Sequence, residues 1–151
     1  MRHIALILLA FGLTAQAAEP ITLKGFHAGM TEQEFIAHAE SLDAVDIWEW
    51  GEGETRKVLV AFSACIKHVG KYCTGRSTET SLTLGGASIR TVTWFIKDGW
   101  QRVTLAPIDA HQDVLEEAVQ AKFGLFDKTE VESVTYGGKT TSWDAVVWVQ
   151  D

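Results

Sequence analysis

The stretch IRTVTWFIKDGWQRVTL, residues 89–105, decides the fold of this chain. β-Branched and aromatic residues fill both of its halves, and Asp98-Gly99 separates them. Such residues favour strands, and an Asp-Gly pair between two such runs is typical of a two-residue hairpin turn. The stretch therefore predicts an antiparallel hairpin, which we expect to stop at Pro107 because proline cannot donate to a strand ladder.

Outside this hairpin, other segments also have the composition of strands. The predicted strands lie at 21–26, 45–50, 56–64, 81–84, 129–136 and 141–149, with Gly137-Gly138 turning the last two into a closing hairpin. The middle of the chain, 44–106, is therefore expected to be rich in β-structure.

Two helices carry recognisable boundary signals. Thr31 followed by Glu34 is a capping box, and Met30 before it can pack on Phe35 as a hydrophobic staple. Asp109 is the predicted N-cap of the second helix and Gly124 its C-cap. The order β-α-β-β-β-β-β-α-β-β predicts an α+β fold in which an antiparallel meander sheet is packed by two helices. That order is compatible with two helix-plus-sheet half-units.

The amino-terminal residues have the three zones of an export signal. A short basic start precedes ten nearly all-apolar residues, 4–13, and Ala15-Gln16-Ala17 supplies the small residues that signal peptidase reads. We expect 1–17 to be a cleaved signal peptide and 18–151 to be a single α+β domain in the periplasm or outside the cell. The apolar run is too short for a span, which needs roughly 20 residues.

The charge of the expected mature chain argues against one class of partner. It has 12 Lys and Arg against 20 Asp and Glu, a formal charge of −8. A field of this sign repels phosphate backbones, so no nucleic-acid partner is predicted. No membrane span is predicted either.

Two cysteines, Cys65 and Cys73, enclose a short loop. In an oxidising compartment such a pair most simply forms one structural disulfide. The alternative is a metal site formed by Cys65, His68 and Cys73, since thiolate and imidazole suit zinc or copper. Oxidation of the two thiols would remove that alternative.

The segment LKGFHAGMTEQE, residues 23–34, resembles the opening of small exported bacterial proteins. It is similar to the small lipoprotein of the outer-membrane barrel-assembly machinery and to the β-lactamase-inhibitor protein. The chain differs from the lipoprotein in having no lipid-accepting cysteine near the predicted cut. The resemblance implies a binding or assembly module rather than an enzyme, and it transfers no functional residue.

Tryptophan and glutamate are the candidate binding residues. Trp48, Trp50 and Trp100 are predicted anchors of a protein site, because aromatic residues dominate interface hot spots. Glu49 and Glu52 would give that site an acidic rim. In the alternative interpretation the tryptophans build the core and the acidic residues lie on a solvated loop.

Catalytic residues cannot be nominated, because the chain has no nucleophile elbow, phosphate loop or dinucleotide fingerprint. No cofactor is predicted. The first hypothesis is an exported protein-binding module that acts as an inhibitor or envelope assembly factor on a protein in the envelope or outside the cell. The alternatives are a metal-binding protein and a small hydrolase with a deep pocket that gathers a histidine and a carboxylate.

Overall fold

A computed structural model describes residues 4–11, 22–70, 72–97, 99–136 and 138–150. Two α-helices are present in this part of the chain, α1 (Glu32–Ser41) and α2 (Gln112–Phe123). The strands are β1 (Ile4–Phe11), β2 (Asp46–Trp50), β3 (Lys57–Ala61), β4 (Cys65–Val69), β5 (Tyr72–Arg76), β6 (Leu82–Leu84), β7 (Ala87–Lys97), β8 (Trp100–Pro107), β9 (Lys128–Tyr136) and β10 (Lys139–Gln150).

The hairpin predicted from 89–105 is confirmed as β7 and β8. Lys97 pairs with Trp100, so the turn contains two residues, and Thr93 pairs with Thr104 further along the ladder. Gly99 has a positive φ of 74°. Glycine adopts this backbone at little cost, so the Asp-Gly signal correctly located the turn.

One large sheet contains most of the strands, in the order β2-β3-β7-β8-β1-β10-β9, with β6 added alongside β7. Its pairs are antiparallel except for β1 with β10. The predicted α+β class and the antiparallel character of the sheet are confirmed.

Helix α1 begins as its sequence predicts. The Glu34 backbone N–H donates to Thr31 Oγ1 at 3.1 Å, and the Thr31 N–H donates to Glu34 Oε2 at 3.4 Å, which completes the capping box. Phe35 and Ala39 are fully buried and belong to one apolar core with Val58, Val60 and other strand residues. The helix therefore covers the face of the sheet to which these valines point.

Helix α2 begins later than predicted. A 3-10 turn, Asp109–His111, precedes it, and His111 rather than Asp109 occupies the N-cap position. The His111 ring accepts a hydrogen bond at Nδ1 from the Ser88 backbone N–H at 2.9 Å, which ties this turn to β7. The helix ends at Gly124 as predicted, where the backbone N–H donates to the Gln120 carbonyl.

The strand predicted at 21–26 is wrong for the described residues of that segment. Leu23 and Phe26 exchange two backbone hydrogen bonds of 2.9 Å around Lys24 and Gly25, both of which have positive φ. Alternating polarity suggested a strand, but a tight turn also places two apolar side chains together. Leu23 and Phe26 are both buried in the core.

The predicted element order is also incomplete between the helices. Seven strands lie there in the described residues rather than five, because the cysteine loop forms two further strands, the hairpin of β4 and β5. The predicted strand 56–64 ends at Ala61, before this hairpin begins.

The apolar zone of the predicted export signal forms β1, which lies between β8 and β10. The predicted cut after Ala17 lies outside the described residues, and removal of 1–17 stays a prediction. Within the ranges that the structure describes, neither helix has the length and apolar character needed to cross a bilayer.

Candidate functional site

Strand β2 forms one edge of the large sheet and carries three of the five predicted binding residues, Trp48, Glu49 and Trp50. Its only strand neighbour in the described chain is β3, with Glu49 opposite Val58 and Trp48 opposite Leu59. Residues directly opposite one another in an antiparallel pair point to the same face. Glu49 therefore lies on the helix-covered face with Val58, whereas Trp48 and Trp50 lie on the other face.

The tryptophans differ in their environments. Trp50 is 45% exposed at the end of β2, and Trp48 is half-buried. Trp94 is buried in the core, where its indole Nε1–H donates to the Met30 carbonyl at 2.9 Å. Trp94 is therefore a core residue, and Trp50 is a surface residue.

Trp100 does not belong to the same strand neighbourhood. It begins β8, which is separated from β2 by β3 and β7. Three strand spacings amount to roughly 14 Å between the two backbones. Trp48, Glu49 and Trp50 therefore lie on the edge strand, and Glu52 lies in the turn that follows it. The Trp100 backbone lies well away from these four residues.

Arg56 organises the acidic side of this edge. Its Nε donates to both carboxylate oxygens of Glu32 at 3.1 and 3.2 Å, and its Nη2 lies 2.8 Å from Glu49 Oε1. The hydrogen bond from Arg56 lowers the pKa of Glu32 below its usual range. This triad connects the start of α1 to the edge strand and leaves a net negative charge, because one guanidinium faces two carboxylates.

A tight turn follows β2 and positions the next acidic residues. Gly51 has a φ of 75°, and a Cβ at this position would lie 2.2 Å from the Thr55 carbonyl oxygen, so only glycine fits. The turn continues into a 3-10 helix, Gly53–Thr55. Glu52 and Glu54 are exposed on it, so both carboxylates face solvent.

A shallow depression of about 500 Å³ opens beside this turn. It is lined by Glu32, Gly51, Glu52, Gly53, Arg56 and Trp94. This depression gathers carboxylates, a guanidinium and an indole but no histidine, so it does not supply the histidine and carboxylate pair that a hydrolase was expected to need.

We use the name β2 edge for Trp48, Glu49 and Trp50 together with Glu52, Glu32 and Arg56. Asp46, at the other end of the strand, binds Arg76 at 3.0 Å and is therefore separate from it. The sequence did not reveal Glu32 or Arg56, because 24 residues separate them and no local pattern connects them.

The cysteine pair forms the predicted disulfide. The Cys65 and Cys73 sulfur atoms lie 2.13 Å apart, and His68 Nδ1 lies 3.7 Å from Cys65 Sγ. Both thiols are consumed, so Cys65, His68 and Cys73 do not provide two thiolates in this form. In the described residues, no group of three or more His, Cys, Asp or Glu side chains is arranged to hold a metal ion.

A disulfide is the form that cysteines take in an oxidising environment, such as that outside the cytoplasm. Comparisons of the chain with protein-family models, curated proteins and solved structures found no match.

Proposed function

We propose that this chain is an exported protein-binding module that docks its partner at the β2 edge, acting as an inhibitor or an envelope assembly factor. The observation that carries the proposal is the exposed Trp50 indole at the end of an edge strand with acidic neighbours. An exposed tryptophan offers a large apolar area to a partner, and buried tryptophans are among the most common hot spots of interfaces.

The two faces of β2 indicate how the partner docks. Trp50 and Glu49 lie on opposite faces of the same strand, so a partner that covered only one face would leave one of them untouched. A partner segment that lies along the edge contacts both. Such a segment can pair with the outward backbone groups of β2, as peptides do when they add a strand to an exposed sheet edge.

The charge of the β2 edge defines the chemistry of that segment. Glu32, Glu49 and Glu52 outnumber Arg56, and Glu54 is close by along the chain. A segment with Lys or Arg residues complements this surface, and opposite charges accelerate the encounter at low ionic strength. The expected partner is therefore a protein with an extended, basic segment that also offers an apolar surface to Trp50.

Affinity capture from an envelope extract tests the proposal. The bait proteins are the unchanged chain, Trp50→Ala and, as a matched control, Leu125→Ala, which removes an apolar side chain that is 80% exposed elsewhere on the surface. We expect one protein to be captured by the unchanged chain and by the control but not by Trp50→Ala. The captured protein is then purified and titrated against all three.

Cooperative urea unfolding of each bait shows whether the variants are folded. Equal capture by folded Trp50→Ala and by the unchanged chain would show that Trp50 is not an anchor. A Trp50→Ala variant that does not fold would place the indole among the structural residues, and Glu49→Gln with Glu52→Gln then becomes the variant that tests the edge.

A further inference from the structure

The disulfide hairpin stands apart from the large sheet. Among the described strands, β4 and β5 pair only with each other, in an irregular antiparallel ladder that joins Cys65 to Arg76 and Val69 to Tyr72. Its described attachments lie at its base, where Arg76 binds Asp46 and the Ser63 carbonyl, and the Ser77 N–H donates to the Ala64 carbonyl. The rest of the hairpin extends from this base.

The outer part of this hairpin exposes apolar side chains. Ile66 is 71% exposed and Val69 is 63% exposed, and the residues between them are exposed as well. These two β-branched residues lie three positions apart and do not belong to the hydrophobic core. Core packing therefore gives no reason for their apolar character. The disulfide keeps the two strands together, so the side chains do not gain burial by collapse of the hairpin.

The hairpin is also basic within an acidic protein. The hairpin sequence, residues 65–76, has no Asp or Glu but three Lys and Arg residues, of which Arg76 is paired with Asp46 at the base. Lys67 is exposed between Ile66 and His68 on β4. The chain as a whole has a net charge of −7, so the acid-free hairpin with its exposed Lys67 differs in charge from the rest of the protein.

We propose that the β4–β5 hairpin docks on an anionic lipid surface, with Ile66 and Val69 entering the headgroup region and Lys67 contacting lipid phosphates. Apolar groups that penetrate the interface and basic groups that contact anionic headgroups together give reversible membrane attachment. This surface is separate from the β2 edge, and the proposal does not depend on the proposed protein partner.

The size of the hairpin favours a lipid surface over an acidic protein. A stable protein interface buries roughly 800 Å² on each partner, which is more than one short hairpin offers at its outer part. Penetration of a membrane interface needs a depth of only about 5–10 Å. The narrow hairpin, with its apolar and basic side chains, is large enough to enter a membrane interface to this depth.

Co-sedimentation with vesicles tests this proposal. The processed protein, purified from the envelope, is mixed with vesicles of phosphatidylglycerol and phosphatidylethanolamine, and separately with vesicles of phosphatidylcholine alone. We expect binding to the anionic vesicles at low salt, little binding to the neutral ones, and loss of binding as salt screens the charges.

Three variants separate the hairpin from the remaining surface. Ile66→Ser with Val69→Ser is expected to weaken binding to anionic vesicles by about tenfold or more, because two apolar side chains no longer enter the interface. Lys67→Gln is expected to weaken it by about fivefold. Leu125→Ser, which removes another exposed apolar residue, is expected to leave it unchanged.

Each variant has the same amino terminus as the unchanged protein, so any vesicle binding by the amino terminus is the same in all of them. Unchanged binding by folded Ile66→Ser/Val69→Ser, or no binding of the unchanged protein to anionic vesicles, would overturn the proposal. Retention on immobilised polyglutamate through Lys67, without vesicle binding, would overturn it in favour of an acidic protein partner.

Discussion

Arg56 is the residue on which the electrostatics of the β2 edge depend, since it binds both Glu32 and Glu49. The hydrogen bond from Arg56 lowers the pKa of Glu32. A carboxylate whose folded pKa is depressed stabilises the fold above its unfolded pKa, and that stabilisation is lost as pH falls through the folded pKa. The stabilisation that Glu32 gains from Arg56 is therefore lost as the solution becomes acidic.

The change Arg56→Gln tests this dependence. We expect the Glu32 pKa to rise toward its usual value and the acid-range loss of stability to become smaller. NMR titration of the Glu32 side-chain carboxyl measures the first, and urea unfolding at pH values from about 3 to 7, which span the usual carboxyl range, measures the second. The neighbouring Lys57→Gln is the control, because Lys57 lies over the Phe95 ring instead. An unchanged Glu32 titration in Arg56→Gln would contradict the assigned cause.

Glu116 shows the opposite shift. Burial raises its pKa, with a further rise from the nearby charge of Asp113. A raised folded pKa means that the ionised form is less stable in the fold than in the unfolded chain, so stability is fully present below the unfolded pKa and falls as pH rises through the folded pKa. We expect Glu116→Gln to raise the free energy of unfolding at pH 7 but not at pH 3, measured by urea titration. The exposed Glu117→Gln is the control, and an equal gain from both variants would contradict the role of burial.

At the scale of the element, the capping box is the signal on which α1 depends. Thr31→Ala removes the side-chain acceptor of the Glu34 N–H and is expected to lower the free energy of unfolding by about 1 kcal/mol. Thr31→Ser keeps the acceptor and is expected to lose less. Urea titration with a common slope for the three proteins measures the difference, and equal losses from both variants would show that the cap hydrogen bond contributes little.

The disulfide constrains its own hairpin more than the large sheet. In the chain-entropy description, closing a loop of this size contributes about 2.5 kcal/mol. We expect the Cys65→Ser/Cys73→Ser protein to have a free energy of unfolding lower by that amount, measured by urea titration. Amide hydrogen exchange should increase more in β4 and β5 than in β7 and β8, because the hairpin pairs with no described strand of the large sheet. Equal loss of protection in all four strands would show that the hairpin supports the sheet.

Element prediction succeeded where the determining interaction is local. Thr31 and Glu34 are three residues apart, and Asp98-Gly99 contains the whole of its turn, so the sequence was sufficient for both. The turn at Lys24-Gly25 was missed because two apolar residues on either side of a turn imitate the alternation of a strand. The hairpin β4–β5 was missed because its exposed Ile66 and Val69 have no buried face to create a period.

The candidate site was only partly predictable for the same reason. Trp50, Glu49 and Glu52 are adjacent in sequence and were identified together. Arg56 reaches Glu32 only after α1 packs beside β3, and the separation of Trp100 from β2 depends on strand order. Neither arrangement leaves a periodic pattern in the sequence.

At the scale of the whole molecule, β1 belongs to the predicted signal peptide, so cleavage would remove the strand that lies between β8 and β10. β1 is antiparallel to β8 and parallel to β10, so β8 and β10 are antiparallel to each other. Ile7 lies level with both Leu105 and Val146, which are buried. Direct pairing of Leu105 with Val146 would therefore keep both side chains on the face they already occupy.

We expect β8 to pair directly with β10 in the processed protein, with Leu105 opposite Val146. NMR contacts between the backbone protons of these two residues measure this pairing. A precursor in which Ala17→Leu blocks cleavage is the control, since signal peptidase needs a small residue there, and it should lack the contact. A processed protein with neither this contact nor protected β10 amides would contradict the expectation.

The position of β1 in the middle of the sheet has a geometric consequence. Neighbouring strands are rotated by about 20–25° relative to each other, so loss of one inner strand would turn β9 and β10 by about that angle relative to β2 and draw them inward by about 5 Å. Arg102 on β8 and Glu130 on β9 form an ion pair across β1 and β10, so loss of β1 would change the distance between the strands that carry them. Cleavage near one end of the chain would thus alter the curvature of the sheet, and with it the angle between its two outermost edges.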